Sequence, residues 1–147
     1  MKKILAEITA RAAVADALLL ARIFAFAVSL PLILRFKLRT TASFAEPRRL
    51  RAPAGPEAVD LIVRYVEAVC ANRFVRAECL VRGLTLYHFL REAGLSLSLV
   101  FGVGEVDGRM TGHCWLLKDG QAFLEPHDPT PHFTVVTALP FVPLHAK

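Results

Sequence analysis

Cysteine is scarce in this chain. Cys70, Cys79 and Cys114 are the only three among 147 residues, and an odd number cannot all pair internally. That excludes a secreted disulfide scaffold and points to a reducing, cytoplasmic compartment. No Cys-pair zinc motif, internal repeat or low-complexity tract is visible. Charge is also low, at 21% of residues against 54% hydrophobic, with a mean hydropathy of +0.45. Intrinsic disorder is thereby excluded. A mass of 16.2 kDa leaves room for one ordinary domain.

The net charge of +5 is unevenly placed. Residues 1–51 hold ten Lys/Arg against three acids (Glu7, Asp16, Glu46), and residues 52–147 hold eight against ten. The basic character sits in one arm, so the pI near 9.5 is no argument for nucleic acid. The arm reads as solvated charge flanking an apolar helix, with contact to anionic lipid or an acidic partner as the sharper readings.

Glycine is missing from Ile4 to Leu38, a stretch rich in Ala and Leu that reads as helical. Ala17–Leu34 is short for a membrane span and is interrupted by Arg22 and Pro31. Basic residues on both sides give no orientation, and no small-residue cleavage site marks a signal peptide. The favoured expectation is a buried or partner-covered helix pair broken near Pro31. Membrane-surface attachment and a true span are the alternatives. Thr40–Pro56, with Pro47, Pro53, Gly55 and Pro56, reads as a linker.

Pro56-Glu57 opens a helix whose apolar face carries Val59, Ile62, Val63, Val66, Val69 and Cys70. A second helix is expected from about Ala77 to Ala93, stopping at Gly94. Asp107-Gly108 and Asp119-Gly120 are hairpin turns, implying strands over 95–105, 110–118 and 121–125. A fourth strand, 133–139, follows the turn Pro126–Pro131. Helices first and a meander after them predict an α+β fold. The expected organisation is an apolar basic helical segment (1–40), a linker (41–56) and a core (57–147).

Cys79 falls in the first turn of the second helix, where the dipole and unpaired amides favour thiolate. His113 lies on the second strand, and alternation puts Trp115 and Leu117 on its face, with Cys114 and Leu116 on the other. The pairing set by Asp119-Gly120 brings Glu125 beside His113, where a carboxylate can fix the imidazole tautomer. Separately these residues mean little. Together they supply a nucleophile, a base and an orienting acid.

The runs ECLVRGLTLYHFLREAGLSLSLVFGV and GHCWLLKDGQAFLE resemble the transglutaminase-like cysteine protease family, and more narrowly the leader peptidases of lasso-peptide biosynthesis. The resemblance rests on Cys79-Leu80, Arg82, Gly102-Val103, His113 with Trp115, Gly120 and Glu125, across about residues 74–139. It implies a papain/transglutaminase-like core and peptide hydrolysis with no metal and no cofactor. Cys79 is the implied nucleophile, His113 the proton carrier and Glu125 the orienting acid. The third member is commonly Asp in the family, so Asp128 competes with Glu125. Arg82 and Trp115 are candidate substrate contacts. Arg82 serves equally as a structural ion pair with Glu78 or another acid, and Trp115 as core. The backbone N–H of Cys79 is the expected oxyanion donor, with Asn72 a weaker candidate. The implied partners are the precursor (leader) peptide, a separate small leader-recognition protein, and the ATP-dependent cyclase of the same pathway. The apolar N-terminal helices offer them a docking surface.

Three other readings remain. His113, Cys114, His127, Asp128 and His132 are possible metal ligands, but their spacing is irregular and alternation separates His113 from Cys114. His88 and His145 read as structural or exposed. A non-catalytic transglutaminase-like scaffold at a membrane or biosynthetic complex would also explain the apolar N-terminus. Acyl transfer to an amine in place of water would use the same residues.

Overall fold

In a computed structural model of the chain, residues 2–35, 45–47, 52–71 and 79–140 are described, with side chains from residue 13 onward. The architecture is α+β: three helices packed together, the last of them against one face of a four-stranded antiparallel sheet.

The first helix, α1, runs Lys2–Leu34. It is one continuous helix through Pro31, so the break expected near that residue does not occur. Proline lacks an N–H and clashes with the carbonyl four residues back, which ends helices when it falls centrally. Pro31 falls in the last turn, where little helix remains to disrupt, and α1 stops three residues later. Residues 36–38 of the expected helical stretch lie outside the described residues, as do residues 41–44 and 48–51 of the linker.

Only part of α1 is covered. Ile23, Phe26, Ala27 and Leu30 recur at helical spacing and lie in the same buried cluster as the rest of the core. Burial of each large side chain contributes roughly 2 kcal/mol. Arg22 pairs with Glu92 at 2.8 Å and lies over the Phe89 ring. The residue that would be costly in lipid is thus partnered by the domain. Val14, Leu18, Phe24, Val28 and Leu32 stay exposed. Ala13–Leu34 is long and apolar enough to cross a membrane by length and composition.

The second helix, α2, spans Pro56–Cys70 and buries Ile62, Val66 and Val69. Its start follows from Pro56 at the first position and Glu57 at the positive end of the dipole. Cys70 is half-buried against the core. The third helix, α3, spans Cys79–Glu92 and is the centre of the molecule. Apart from Arg82 and His88, every residue from Val81 to Leu90 is buried. It ends at Gly94, whose φ of 86° is open to glycine and costly for other residues.

Four strands follow: β1 (Ser98–Val106), β2 (Arg109–Lys118), β3 (Gln121–Phe123) and β4 (Thr134–Leu139). Their order is β3-β2-β1-β4. Both Asp-Gly turns have positive φ at both central residues, the type I′ geometry that matches strand twist. The first strand begins at Ser98 rather than Leu95, and the third ends at Phe123 rather than Glu125.

The two sheet faces are built differently. Leu99, Cys114, Leu116 and Leu139 join the helical core. On the other face Trp115 lies across Gly102, with Phe133 beside both. The helix-facing contact is tight: a Cβ on Gly83 would lie 2.9 Å from the Cys114 sulfur and 3.2 Å from Leu99. Gly83 therefore sets how closely α3 approaches β2. Gly83→Val is expected to destabilise the fold by about 1–3 kcal/mol through overpacking, measured by denaturant unfolding.

Candidate active site

Cys79 is the first residue of α3 and is exposed. The first N–H groups of a helix have no partner within it, so among the described residues Cys79 combines a backbone donor at the start of the helix with an accessible sulfur. Its thiol is lowered from the ordinary value to about 5. The largest cause is hydrogen bonding from the Cys114 thiol. Partial burial opposes it, while the His113 imidazole and the Cys114 backbone N–H add to the lowering. The Cys114 thiol lies 3.1 Å from the Cys79 carbonyl oxygen, so it can donate there or to the sulfur. The hydrogen bond to the Cys79 sulfur, and after it burial, push Cys114 itself strongly upward.

His113 sits on the far face of β2, stacked on Trp115 with ring centroids 5.9 Å apart and tilted against Phe133 at 5.3 Å. Its Nε2 lies 3.4 Å from Glu125 Oε2. Sequence alternation places Cys114 on the opposite face, as the packing shows. What alternation could not show is that Cys79 stands beside β2, within reach of both neighbours.

Glu125 is brought in by a break in β3. Leu124 adopts φ 61°, a left-handed conformation costly for a branched residue. The ladder therefore ends at Phe123 and the chain turns Glu125 toward His113. Arg82 holds this turn. Its Nη2 donates to the Leu124 carbonyl at 3.2 Å, and its Nη1 lies 3.4 Å from Glu125 Oε1. On its other side it meets Glu67 of α2, with Nε donating at 2.9 Å. Glu125 is only 11% exposed, so a counter-charge matters to it more than to a surface acid. Arg82 was expected to contact substrate or to pair with an acid; its guanidinium is occupied by Glu67, Glu125 and Leu124. Glu78 and Asn72 lie outside the described residues.

Trp115 is 1% exposed, so it offers substrate no surface, and the expectation of a direct substrate contact is corrected. A ring that large is most stable covered. It supports His113 from beneath. Its Nε1 has no hydrogen-bond partner among the described residues. Asp128 is turned to local use, its Oδ1 accepting from the Thr130 amide at 3.0 Å and from the Thr130 hydroxyl. Its carboxyl is lowered by those bonds. No group of three or more metal-ligating side chains is found among the described residues. His88 is structural: its Nδ1 lies 2.9 Å from the Ala45 carbonyl oxygen and its ring stacks on Phe26. His145 lies outside the described residues. An open groove of about 1090 Å³ between α2 and the β2–β3 hairpin includes Leu124 but neither Cys79 nor His113.

Phe133 and Glu67 are the contributors that sequence reasoning missed. No local pattern marks either: Phe133 reaches His113 only because the 126–133 loop crosses the sheet, and Glu67 reaches Arg82 from another helix.

Iodoacetamide should alkylate Cys79 at pH 7 at least about tenfold faster than Cys70 or Cys114, because thiolate is the reacting form and the other two thiols are raised. Peptide mapping with time reads this directly. The Cys79 rate should rise with a midpoint near pH 5 as the thiol ionises. Cys114→Ala should move that midpoint upward by removing a donor.

The family model described as Transglutaminase-like superfamily matches residues 20–138. Comparison with curated proteins and with solved structures finds no match.

Proposed function

The chain belongs to the transglutaminase-like superfamily, and from that premise we propose that it is a cysteine peptidase that removes the leader from a lasso-peptide precursor. The observation that carries the peptidase reading is an exposed Cys79 whose sulfur is held toward thiolate beside His113. The narrower substrate rests on the resemblance of the Cys79-Leu80, Arg82, His113 and Trp115 pattern. Two partners come with it: a small leader-recognition protein on its own chain, and the ATP-dependent cyclase that uses the released core peptide. The reaction takes place in the cytoplasm, with the apolar exposed side of α1 available to a membrane surface.

In the proposed reaction the Cys79 thiolate attacks the scissile carbonyl carbon, and the carbonyl electrons move onto oxygen. The Cys79 backbone N–H, at the start of α3, donates to that oxyanion. His113, protonated, gives its proton to the leaving nitrogen as the C–N bond breaks, leaving a thioester on Cys79. Neutral His113 then takes a proton from water while the water oxygen attacks the thioester. Sulfur leaves as thiolate and the acid product departs. Glu125 holds Nε2 of the imidazole, leaving Nδ1 for the sulfur and the travelling proton. Arg82 positions Glu125. No external oxidant or coenzyme enters the balance.

A non-catalytic scaffold is the second reading, favoured by the exposed apolar stripe of α1. One assay separates the two. With purified protein, precursor peptide and the leader-binding partner, mass spectrometry should show leader release. Cys79→Ala and His113→Ala should abolish it. Glu125→Gln should slow it by about a hundredfold, the scale of a well-placed acid–base contribution. Full processing by Cys79→Ala would overturn the peptidase mechanism. Arg82→Gln should lower kcat more than it raises KM, since the residue acts through Glu125 rather than on substrate.

A further inference from the structure

The sheet has an unfinished edge, and it lies beside Cys79. The second strand pairs with β1 from Arg109 to Leu117. On its other side β3 covers only Leu116 to Lys118. No strand among the described residues pairs with the remaining stretch, 109–115, on that side. Arg109 to Gly112 are exposed, Met110 by 73%.

The direction of the backbone groups follows from the turns. A two-residue type I′ turn closes on a hydrogen-bonded pair, so Val106 and Arg109 bond each other across Asp107-Gly108. Bonding alternates along an antiparallel strand, so residues 109, 111, 113, 115 and 117 of β2 turn their amides toward β1. Residues 110, 112, 114, 116 and 118 turn theirs the other way. The second turn agrees independently, because Lys118 and Gln121 form the closing pair across Asp119-Gly120. The N–H and C=O groups of Met110, Gly112 and Cys114 therefore point out of the open edge. One of them already has an acceptor there: the Cys114 N–H meets the Cys79 sulfur.

Gly112 adds a second observation. A Cβ built on it would meet nothing nearer than the Gly102 carbonyl oxygen at 3.9 Å, and its φ is not in the left-handed region. Among the described residues, neither packing nor backbone conformation requires glycine there. Glycine in a strand with open space above it marks a close approach by a ligand or another backbone. Two residues from Cys114, Gly112 presents its bare side on the face where α3 places Cys79.

We propose that the peptide substrate adds as a strand to the free edge of β2, pairing with Gly112 and Met110, with one side chain resting over Gly112 as its scissile carbonyl reaches Cys79. The inference rests on the peptidase reading and names how that site holds its substrate: an extended peptide recognised through main-chain hydrogen bonds, with alternate side chains facing the protein. An unpaired edge is a hazard that proteins ordinarily cover or charge; here it serves the substrate.

The test uses the precursor peptide and partner of the processing assay, with N-methyl groups introduced singly at positions two to five residues on each side of the scissile bond. Each methyl removes one main-chain donor. On at least one side, alternate positions should lose about tenfold in kcat/KM while the intervening positions are cleaved as the unmethylated peptide is. Gly112→Val should keep the wild-type melting temperature and lose at least about tenfold in kcat/KM, mainly through KM. If wild-type protein cleaves every methylated peptide alike, or cuts without a two-residue period, strand addition is overturned while the peptidase reading stands. Undiminished cleavage by a folded Gly112→Val also overturns it. If wild-type protein leaves the unmethylated peptide intact, the peptidase reading fails first and the strand falls with it.

Discussion

Everything at the site depends on how close α3 lies to β2. Gly83 against the Cys114 sulfur fixes that distance. Because α3 begins at Cys79 and is buried through most of its length, bringing its body onto the sheet delivers its first residue to the strand's edge. A helix end is normally a place of unpaired amides in water. Here the sulfur at that end meets an imidazole, a thiol and a strand N–H. The thiolate is the species that this surrounding favours.

The acid side of the site is assembled by a different device. Glu125 does not continue a strand; it is swung in by Leu124 at φ 61° and kept there by Arg82. Arg82 stands one turn after Cys79 on the same helix. Cys79 and Glu125 are thus coupled through one rigid element: a shift of α3 moves both. Glu67 completes the clamp from α2, so α2, α3 and the sheet all contribute to placing one imidazole.

The first helix has two characters. Its Ile23, Phe26, Ala27 and Leu30 side finishes the domain core, and the family match begins at residue 20, within this helix. Its other side remains apolar and open. Arg22, which hydropathy alone marks as an interruption, is the point where α1 is tied to α3 through Glu92.

Periodicity and turn chemistry were sufficient for much of this. The helix opening at Pro56, the stop at Gly94, both Asp-Gly hairpins and the α+β class are local consequences of backbone preference and apolar spacing, and such consequences are written in neighbouring residues. The register of the Asp119-Gly120 hairpin was legible for the same reason, since a two-residue turn fixes it; the last step of Glu125 toward His113 was not, because the ladder stops at Phe123 and Leu124 turns the chain. Pro31 was misjudged because proline's effect depends on where the helix would have ended anyway. The strand end at Phe123, the burial of Trp115, the hold of Arg82 on Leu124 and the meeting of Cys114 with Cys79 were decided by tertiary structure. Each joins residues from separate elements. Whether a side chain faces water, a ring or a carboxylate is settled only when those elements pack, and no spacing along the chain encodes that distance.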